Sequence, residues 1–260
     1  MIKILSSGLD YDKFTFPCGE LHVRLKDKYP DSRYGVHQTD VEWEFERTEE
    51  IVELLLLVDA LRHTGTKLRT LRIPYVPFGR QDRVCSQGEP LSIYVIAKLI
   101  NSCKAESVEI VDPHSDVTTA LIDNVFVKEQ YEVFLTHWYD NPERDYYLIS
   151  PDAGAEKKVY KLASLLQGCK GVVTCSKQRN LETGEIVGVH VNDLIDAGRT
   201  CYIVDDICDG GRTFIEIAKQ LKERGVGKIV LMVTHGFFTK GLDVFDGLID
   251  EIYTRKGRVK

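Results

Sequence analysis

The 260-residue sequence contains no apolar run longer than five residues, Leu54–Val58 being one such run. That is far short of the ~20 residues a helix needs to cross a bilayer. No apolar stretch with a small-residue cleavage site follows Met1, which argues against a secretory signal. There is no Cys-x-x-Cys pair, and the seven cysteines are an odd number. Free thiols in a reducing compartment are therefore expected, rather than a disulfide framework. Excess positive charge is missing too: the net charge of −6 disfavours broad binding to nucleic acid. Neither a Walker A sequence nor Gly-x-Gly-x-x-Gly occurs, so the common nucleotide fingerprints are excluded. His22, His37, His63, His137, His190 and His235 have no metal-ligand spacing, and there is no solenoid repeat or low-complexity tract. What is present, 43% hydrophobic and 28% charged residues, suits a cytoplasmic globular protein. The length fits one large domain or two of roughly 130 residues.

Short β-rich runs alternate with amphipathic stretches, which predicts an α/β protein with mostly parallel sheets flanked by helices. Helices are expected over 48–63, 91–102, 155–166 and 214–224, and strands over 71–76, 107–111, 146–150, 171–175, 200–204 and 228–233. Leu54, Leu55, Val58 and Leu61 read as a helical core face. The polar stretch Asp123–Asp145, with Asn141-Pro142, reads as an irregular connection. Two domains follow, 1–128 and 129–260.

The strongest local signal is Tyr202-Ile-Val-Asp205-Asp206-Ile-Cys-Asp209-Gly210-Gly211-Arg212-Thr213-Phe214. A strand runs into paired carboxylates, then a glycine pair, then a helix. Converging backbone N–H groups and the helix N-terminus can hold a phosphate there, and Arg212 adds a forked cation. Carboxylates beside a phosphate repel it unless they face hydroxyl groups or a cation, so Asp205 and Asp206 point to a ribose. The competing reading is a plain Asp-Gly turn with Asp209 capping the helix.

This stretch resembles the sugar-phosphate loop of type I phosphoribosyltransferases and of ribose-phosphate pyrophosphokinases. The rest of the chain favours the pyrophosphokinases. Phe16-Pro17-Cys18-Gly19-Glu20 resembles their Phe-Pro-Asp-Gly-Glu turn. Pro74-Tyr75-Val76-Pro77-Phe78-Gly79-Arg80-Gln81-Asp82-Arg83 resembles their Pro-Tyr…Arg-Gln-Asp block. Val111-Asp112-Pro113-His114-Ser115, Ser150-Pro151-Asp152-Ala153-Gly154, Lys177-Gln178-Arg179 and Val233-Thr234-His235-Gly236 follow in the family's order. The resemblance implies two phosphoribosyltransferase-like domains, the first carrying the ATP-site motifs and the second the sugar-phosphate loop. It implies transfer of the β,γ-diphosphoryl group of ATP to the anomeric hydroxyl of a 5-phosphorylated ribose, releasing AMP, with Mg²⁺ as cofactor.

The roles implied by the resemblance are these. Lys177 and Arg179 stabilise the transferring group, followed by a polar flap, Asn180–Glu185. His114, a catalytic candidate, organises Mg²⁺ with Asp152, although Mg²⁺ prefers oxygen ligands. Phe16, Glu20, Arg80, Gln81, Asp82 and Arg83 bind ATP, and the Phe16–Glu20 turn comes from a neighbouring subunit of a homo-oligomer. Asp205, Asp206, Asp209, Gly210, Gly211, Arg212 and Thr213 bind the sugar phosphate.

The chain also departs from the family pattern. Cys18 and Cys85 stand where acids are usual, and burial as small hydrophobes is the default expectation for these and for Cys208. Asp209-Gly210-Gly211-Arg212-Thr213 replaces Asp-Thr-x-Gly-Thr, losing a hydroxyl and gaining a cation. That exchange suits a larger 5-substituent, such as the diphosphate of ADP-ribose, an acceptor used by compact phage-type relatives on the way to NAD. Ribose 5-phosphate and ADP-ribose both remain open, as do a phosphoribosyltransferase and a catalytically silent regulatory subunit.

Overall fold

The structure, a computed structural model, describes residues 1–5, 9–26, 37–140, 145–179 and 186–260. The chain divides into two compact units, Met1–Lys128 and Glu129–Lys260.

In the first unit the strands β1 (Ile2–Ile4), β4 (Gln38–Trp43), β5 (Lys67–Ile73), β6 (Ser107–Val111) and β7 (Val125–Lys128) form one sheet in the order β1-β4-β5-β6-β7. β1 is antiparallel to β4, and the remaining pairs are parallel. The crossover helices are α1 (Glu50–His63), α2 (Ser92–Ser102) and α3 (Asp116–Leu121). Parallel neighbours require such crossovers, and strands covered by them carry apolar side chains. Leu71, Ile73, Val108 and Ile110 pack with Leu54, Leu57, Val58 and Leu61 of α1 and Ile93, Ile96 and Ile100 of α2. The buried stripe of α1 is thus 54, 57, 58 and 61, spaced as one helical face. Leu57 is fully buried, whereas the expected Leu55 lies at the edge of that face and is only partly buried.

A separate hairpin, β2 (Tyr11–Thr15) and β3 (Leu21–Leu25), is held on α1 by a buried carboxylate. Glu53 accepts hydrogen bonds from the Tyr11 hydroxyl and the Lys13 ammonium, both at 2.7 Å. Desolvation, reinforced by Glu53, pushes the Tyr11 phenol well above its usual pKa.

At the β4–β5 edge, Arg69 grips Asp40 in a forked pair of 2.9 and 2.7 Å. Arg69 holds the Asp40 carboxyl below the usual carboxylate range against the opposing effect of burial. A depressed folded-state pKa gives stability that is present above the unfolded pKa and lost as pH falls through the folded value. Asp40→Asn is therefore expected to cost about 1–2 kcal/mol at pH 7, since hydrogen bonds to charged groups contribute at that level and Arg69 is partly solvated. Urea unfolding at pH 7 and near pH 2.5 checks this, because the gap between wild type and variant should shrink in acid.

The second unit has a sheet in the order β10-β9-β8-β11-β12-β13-β14. These strands are β8 (Tyr146–Ser150), β9 (Cys169–Arg179), β10 (Ile186–Val191), β11 (Thr200–Cys208), β12 (Lys228–Gly236), β13 (Glu251–Thr254) and β14 (Gly257–Arg258). β9, β8, β11, β12 and β13 are parallel, with antiparallel β10 and β14 at the edges. Helices α4 (Gln130–Asp140), α5 (Glu156–Leu165) and α6 (Arg212–Glu223) complete the layers. Alternation along β11 shows why both sheet faces are dry. Cys201 and Ile203 pack with Phe214, Ile217 and Leu221 of α6, while Tyr202 and Val204 pack with Phe134, Trp138, Val159 and Leu162 of α4 and α5.

The stretch Asp123–Asp145, expected to be irregular, instead contains β7 and α4. Phe134 and Trp138 share a helical face and are buried, and this packing outweighs the polar composition around them. Strands also run further than apolar patterning predicted: β9 to Arg179, β11 to Cys208 and β12 to Gly236. Among the described residues, no helix is long and apolar enough to cross a membrane.

Candidate active site

The second unit's sheet has a topological switch between its central strands. From β8 the chain crosses through α5 to β9 on one side, and it later returns to place β11 on the other. Helical crossovers leaving in opposite directions open a crevice at the carboxyl ends of those strands. Ser150 pairs with Thr174 and Ile149 with Ile203. Asp152, Lys177 and the Asp205–Asp206 pair therefore all lie beyond the level where β8 ends, on one edge of the sheet.

Asp152 begins the turn into α5. Its Oδ1 accepts the Gly154 and Ala155 N–H groups at 3.0 and 3.2 Å, and the Ser150 hydroxyl donates to its carbonyl at 2.9 Å. These bonds hold the carboxylate at the mouth of the crevice. On β11, Asp205 accepts the Asp206 N–H at 2.8 Å. Desolvation, the Asp206 carboxylate and, more weakly, Asp152 push the Asp205 carboxyl well above its ordinary value. Three acids thus crowd one edge, and burial beside Asp206 makes the Asp205 charge costly there, which is an environment for sugar hydroxyls or a cation.

The Asp209–Thr213 turn follows. Gly211 is left-handed at φ +78 and is the N-cap of α6, with no side-chain cap. Asp209 does not cap the helix, as the competing sequence reading required. Its Oδ1 accepts the Thr239 hydroxyl at 2.8 Å. The first N–H groups of α6 are therefore offered outward from a glycine turn, an arrangement that binds phosphate. Arg212 and Thr213 are in the first helical turn itself, two residues earlier than patterning predicted. Lys177 and Arg179 lie on β9 opposite Val189 and Ile186. Their side chains, and the expected flap 180–185, lie outside the described residues.

In the first unit, Pro74–Arg83 follows β5 and His114 follows β6, so adjacent parallel strands bring both to one sheet edge. Gln81 is committed locally: its side-chain oxygen accepts the Ser92 hydroxyl at the start of α2. The Arg83 guanidinium lies 3.6 Å from Asp82 and is largely exposed. Phe16 and Glu20 close the β2–β3 hairpin, with Phe16 N–H donating to Glu20 O at 2.8 Å. Phe16 is 43% exposed and meets Phe14 and His22 at ring distances of 5.1 and 5.8 Å. Cys18 and Cys85 are exposed, contrary to expectation, because a hairpin tip and a loop offer no core to enter; Cys208 is buried.

His114 and Asp152 belong to different units. Among the described residues, no three His, Cys, Asp or Glu side chains are gathered to hold a metal. Mg²⁺ takes few protein ligands and keeps waters and substrate phosphates around it, so the oxygen-rich acidic edge of the second unit fits that ion.

Sequence reading missed Thr239, Lys240 and Phe245. Phe245 lies under the glycine turn, where a Cβ on Gly211 would come within 2.4 Å of its ring. Lys240 lies along Gly210, with side-chain carbons 3.5–3.8 Å from the place a Cβ would occupy. Neither has a local signature, because both reach the turn through the pairing of β12 with β11.

Comparisons with known proteins agree with this geometry. Residues 8–103 match the model of the N-terminal domain of ribose phosphate pyrophosphokinase, and residues 185–254 match that of the phosphoribosyl synthetase-associated domain. A ribose-phosphate pyrophosphokinase of Thermococcus kodakarensis is 30% identical over 239 residues, which cover 91% of this chain and 81% of that protein. The enzyme of the same name from Ureaplasma parvum is 31% identical over 241 residues, covering 92% and 70%. The crystal structure of the phosphoribosylpyrophosphate synthetase of Mycobacterium smegmatis superposes with a TM-score of 0.77 at 22% identity, over 95% of this chain and 80% of that one. That likeness concerns the fold. Sequence relationship over nearly the whole chain, joined to a glycine turn beside paired acids, makes this chain a member of the ribose-phosphate pyrophosphokinase family of diphosphokinases.

Proposed function

We propose that the protein transfers the β,γ-diphosphoryl group of ATP to the anomeric 1-hydroxyl of a 5-phosphorylated ribose and releases AMP. The acceptor is ribose 5-phosphate or ADP-ribose, the second being the substrate of an NAD-rebuilding, phage-type enzyme. The observation that carries this reading is the uncapped N-terminus of α6 at Gly211, set beside Asp205 and Asp206 at the crevice of the sheet. The backbone of 210–213 with Arg212 holds the 5-phosphate, and Asp205 and Asp206 accept hydrogen bonds from the ribose hydroxyls. Orienting the sugar in this way brings its 1-hydroxyl to the edge where Lys177 and Arg179 offset charge on the transferring group. Such reactions depend on in-line positioning and charge neutralisation rather than on a protein nucleophile.

Arg80, Gln81, Asp82 and Arg83 bind ATP. Phe16 and Glu20 complete that site from a neighbouring chain of a homo-oligomer, and the Glu53 anchor under the exposed hairpin supports this. Asp152 would hold Mg²⁺ at the second unit's acidic edge, where the bound ion neutralises phosphate charge, and His114 serves as a catalytic residue of the first unit.

AMP release from ATP and Mg²⁺ with ribose 5-phosphate, with ADP-ribose and with no sugar tests the reading. AMP is expected with at least one sugar, none without sugar, and none after chelation of Mg²⁺. No AMP with either sugar would overturn the proposal in favour of a silent regulatory subunit.

A further inference from the structure

We propose that the Thr118 hydroxyl is a positioning group for the ATP-binding loop, donating a hydrogen bond to the Val76 carbonyl once ATP engages Arg80. This rests on the reading of 80–83 as an ATP-binding segment. It goes beyond that reading in naming a buried residue, outside the segment, that sets its affinity.

Thr118 lies on α3 and is 0% exposed. Its Oγ1 is buried, and among the described residues it has no hydrogen-bond partner. The Ser115 Oγ, three residues earlier, is buried without a partner as well. Buried polar groups are otherwise nearly always paired, so each exception calls for a physical reason. A hydroxyl kept dry and unpaired destabilises the form of the protein that contains it.

The hydroxyl lies against the turn that leads into Arg80. A Cβ placed on Gly79 would come 3.5 Å from Thr118 Oγ1 and 3.2 Å from the Val76 carbonyl oxygen. Both oxygens thus border the same side of Gly79, and a shift of a few ångströms at most joins them. Gly79 has no positive φ. What this glycine supplies is close approach between the turn and α3, not a special backbone conformation.

The turn itself is loosely closed and strained. Gly79 N–H reaches the Val76 carbonyl at 3.4 Å, longer than an ordinary hydrogen bond. Phe78, inside the turn, has φ +62 while its side chain packs against the core of the first unit. A left-handed conformation is costly for an L-residue, and such positions gather where a structure switches. With Phe78 anchored and the closing bond weak, Gly79 is the position that moves. A phosphate pulling on Arg80, the next residue, exchanges the stretched Gly79–Val76 bond for one from Thr118 to Val76. A ligand shifts a conformational equilibrium only through contacts that differ between the two forms, and the unloaded form lacks this one.

Isothermal titration of the full chain with ATP and Mg²⁺, without sugar and beside thermal melts, tests this. Thr118→Val keeps the shape of the side chain and removes the hydroxyl. It is expected to bind ATP about tenfold more weakly, as one hydrogen bond made only in the bound form supplies. It should nevertheless melt about 3 °C higher, because no unpaired hydroxyl is then buried. Thr118→Ser keeps the hydroxyl and loses a methyl group. It should bind within about threefold of wild type while melting about 3 °C lower. Affinity and stability thus move in opposite directions, which a packing role alone does not produce. An unchanged affinity in Thr118→Val, or affinities that follow the melting temperatures, overturns the proposal and leaves 80–83 as the ATP segment. No ATP binding by wild type overturns both. The expected affinities without AMP formation on adding sugar sustain the role of Thr118 while the transfer reading fails.

Discussion

Lys177→Ala is expected to lower kcat about a thousandfold, the scale on which a single cation stabilises a transferring phosphoryl group. The residue stands on β9 past the level where β8 ends, on the sheet edge that also carries Asp152, Asp205 and Asp206. Its neighbours in sequence, Ser176, Gln178, Arg179 and Asn180, are all polar. The melting temperature should accordingly stay within about 2 °C, since surface substitutions away from packed features cost little. KM for the sugar should change far less than kcat, because the interaction is made with charge that develops during transfer. Steady-state AMP release beside a thermal melt reads both quantities. Near-normal turnover in a folded variant would remove Lys177 from the proposed machinery.

The second large effect concerns the turn. Gly211→Ala puts a methyl group at φ +78 and drives it toward the Phe245 ring, to 2.4 Å if nothing moves. The left-handed conformation costs an L-residue roughly 1–2 kcal/mol, and overpacking a filled site costs about 1–3 kcal/mol more. Phe245 is itself 1% exposed and touches Phe238 edge-on, so it has little room to retreat. A fall in melting temperature of about 5–15 °C is expected for a unit of this size. Affinity for the sugar phosphate should fall with it, because the glycine aims the first N–H groups of α6. A melting temperature within about 2 °C of wild type would show that the turn adapts and that Gly211 is not held by packing.

The sequence exposed the parts of this protein whose chemistry is contiguous. The Asp205–Thr213 turn could be read because a strand, two acids, two glycines and a helix succeed one another without interruption. β6 and β8 were read to the residue because apolar patterning and hydrogen bonding end together there. β11 and β12 continue pairing through Asp205, Ile207, His235 and Gly236, where polar motif residues break the apolar pattern while the ladder persists. β2 escaped notice because four of its five residues are exposed, leaving no alternation to detect. Strand β13 and the Lys240 contact lie after the last recognisable motif, and their roles exist only once β12 has aligned beside β11.

The order of strands has a further consequence, for the way the chain gains its structure. In the first unit β4, β5 and β6 each pair with the next strand in the chain, so those three closures each span one crossover and the parallel part of the sheet can grow from one side. In the second, Tyr146 of β8 pairs with Cys169 but also with Thr200. The second contact waits for α5, β9 and β10 to be laid down. Closing a longer loop adds little to the equilibrium cost, but non-local pairing slows folding. On a ribosome, the first unit can therefore be ordered before the acidic crevice exists, and the sugar-binding edge is acquired late, when β11 docks against a strand formed long before it.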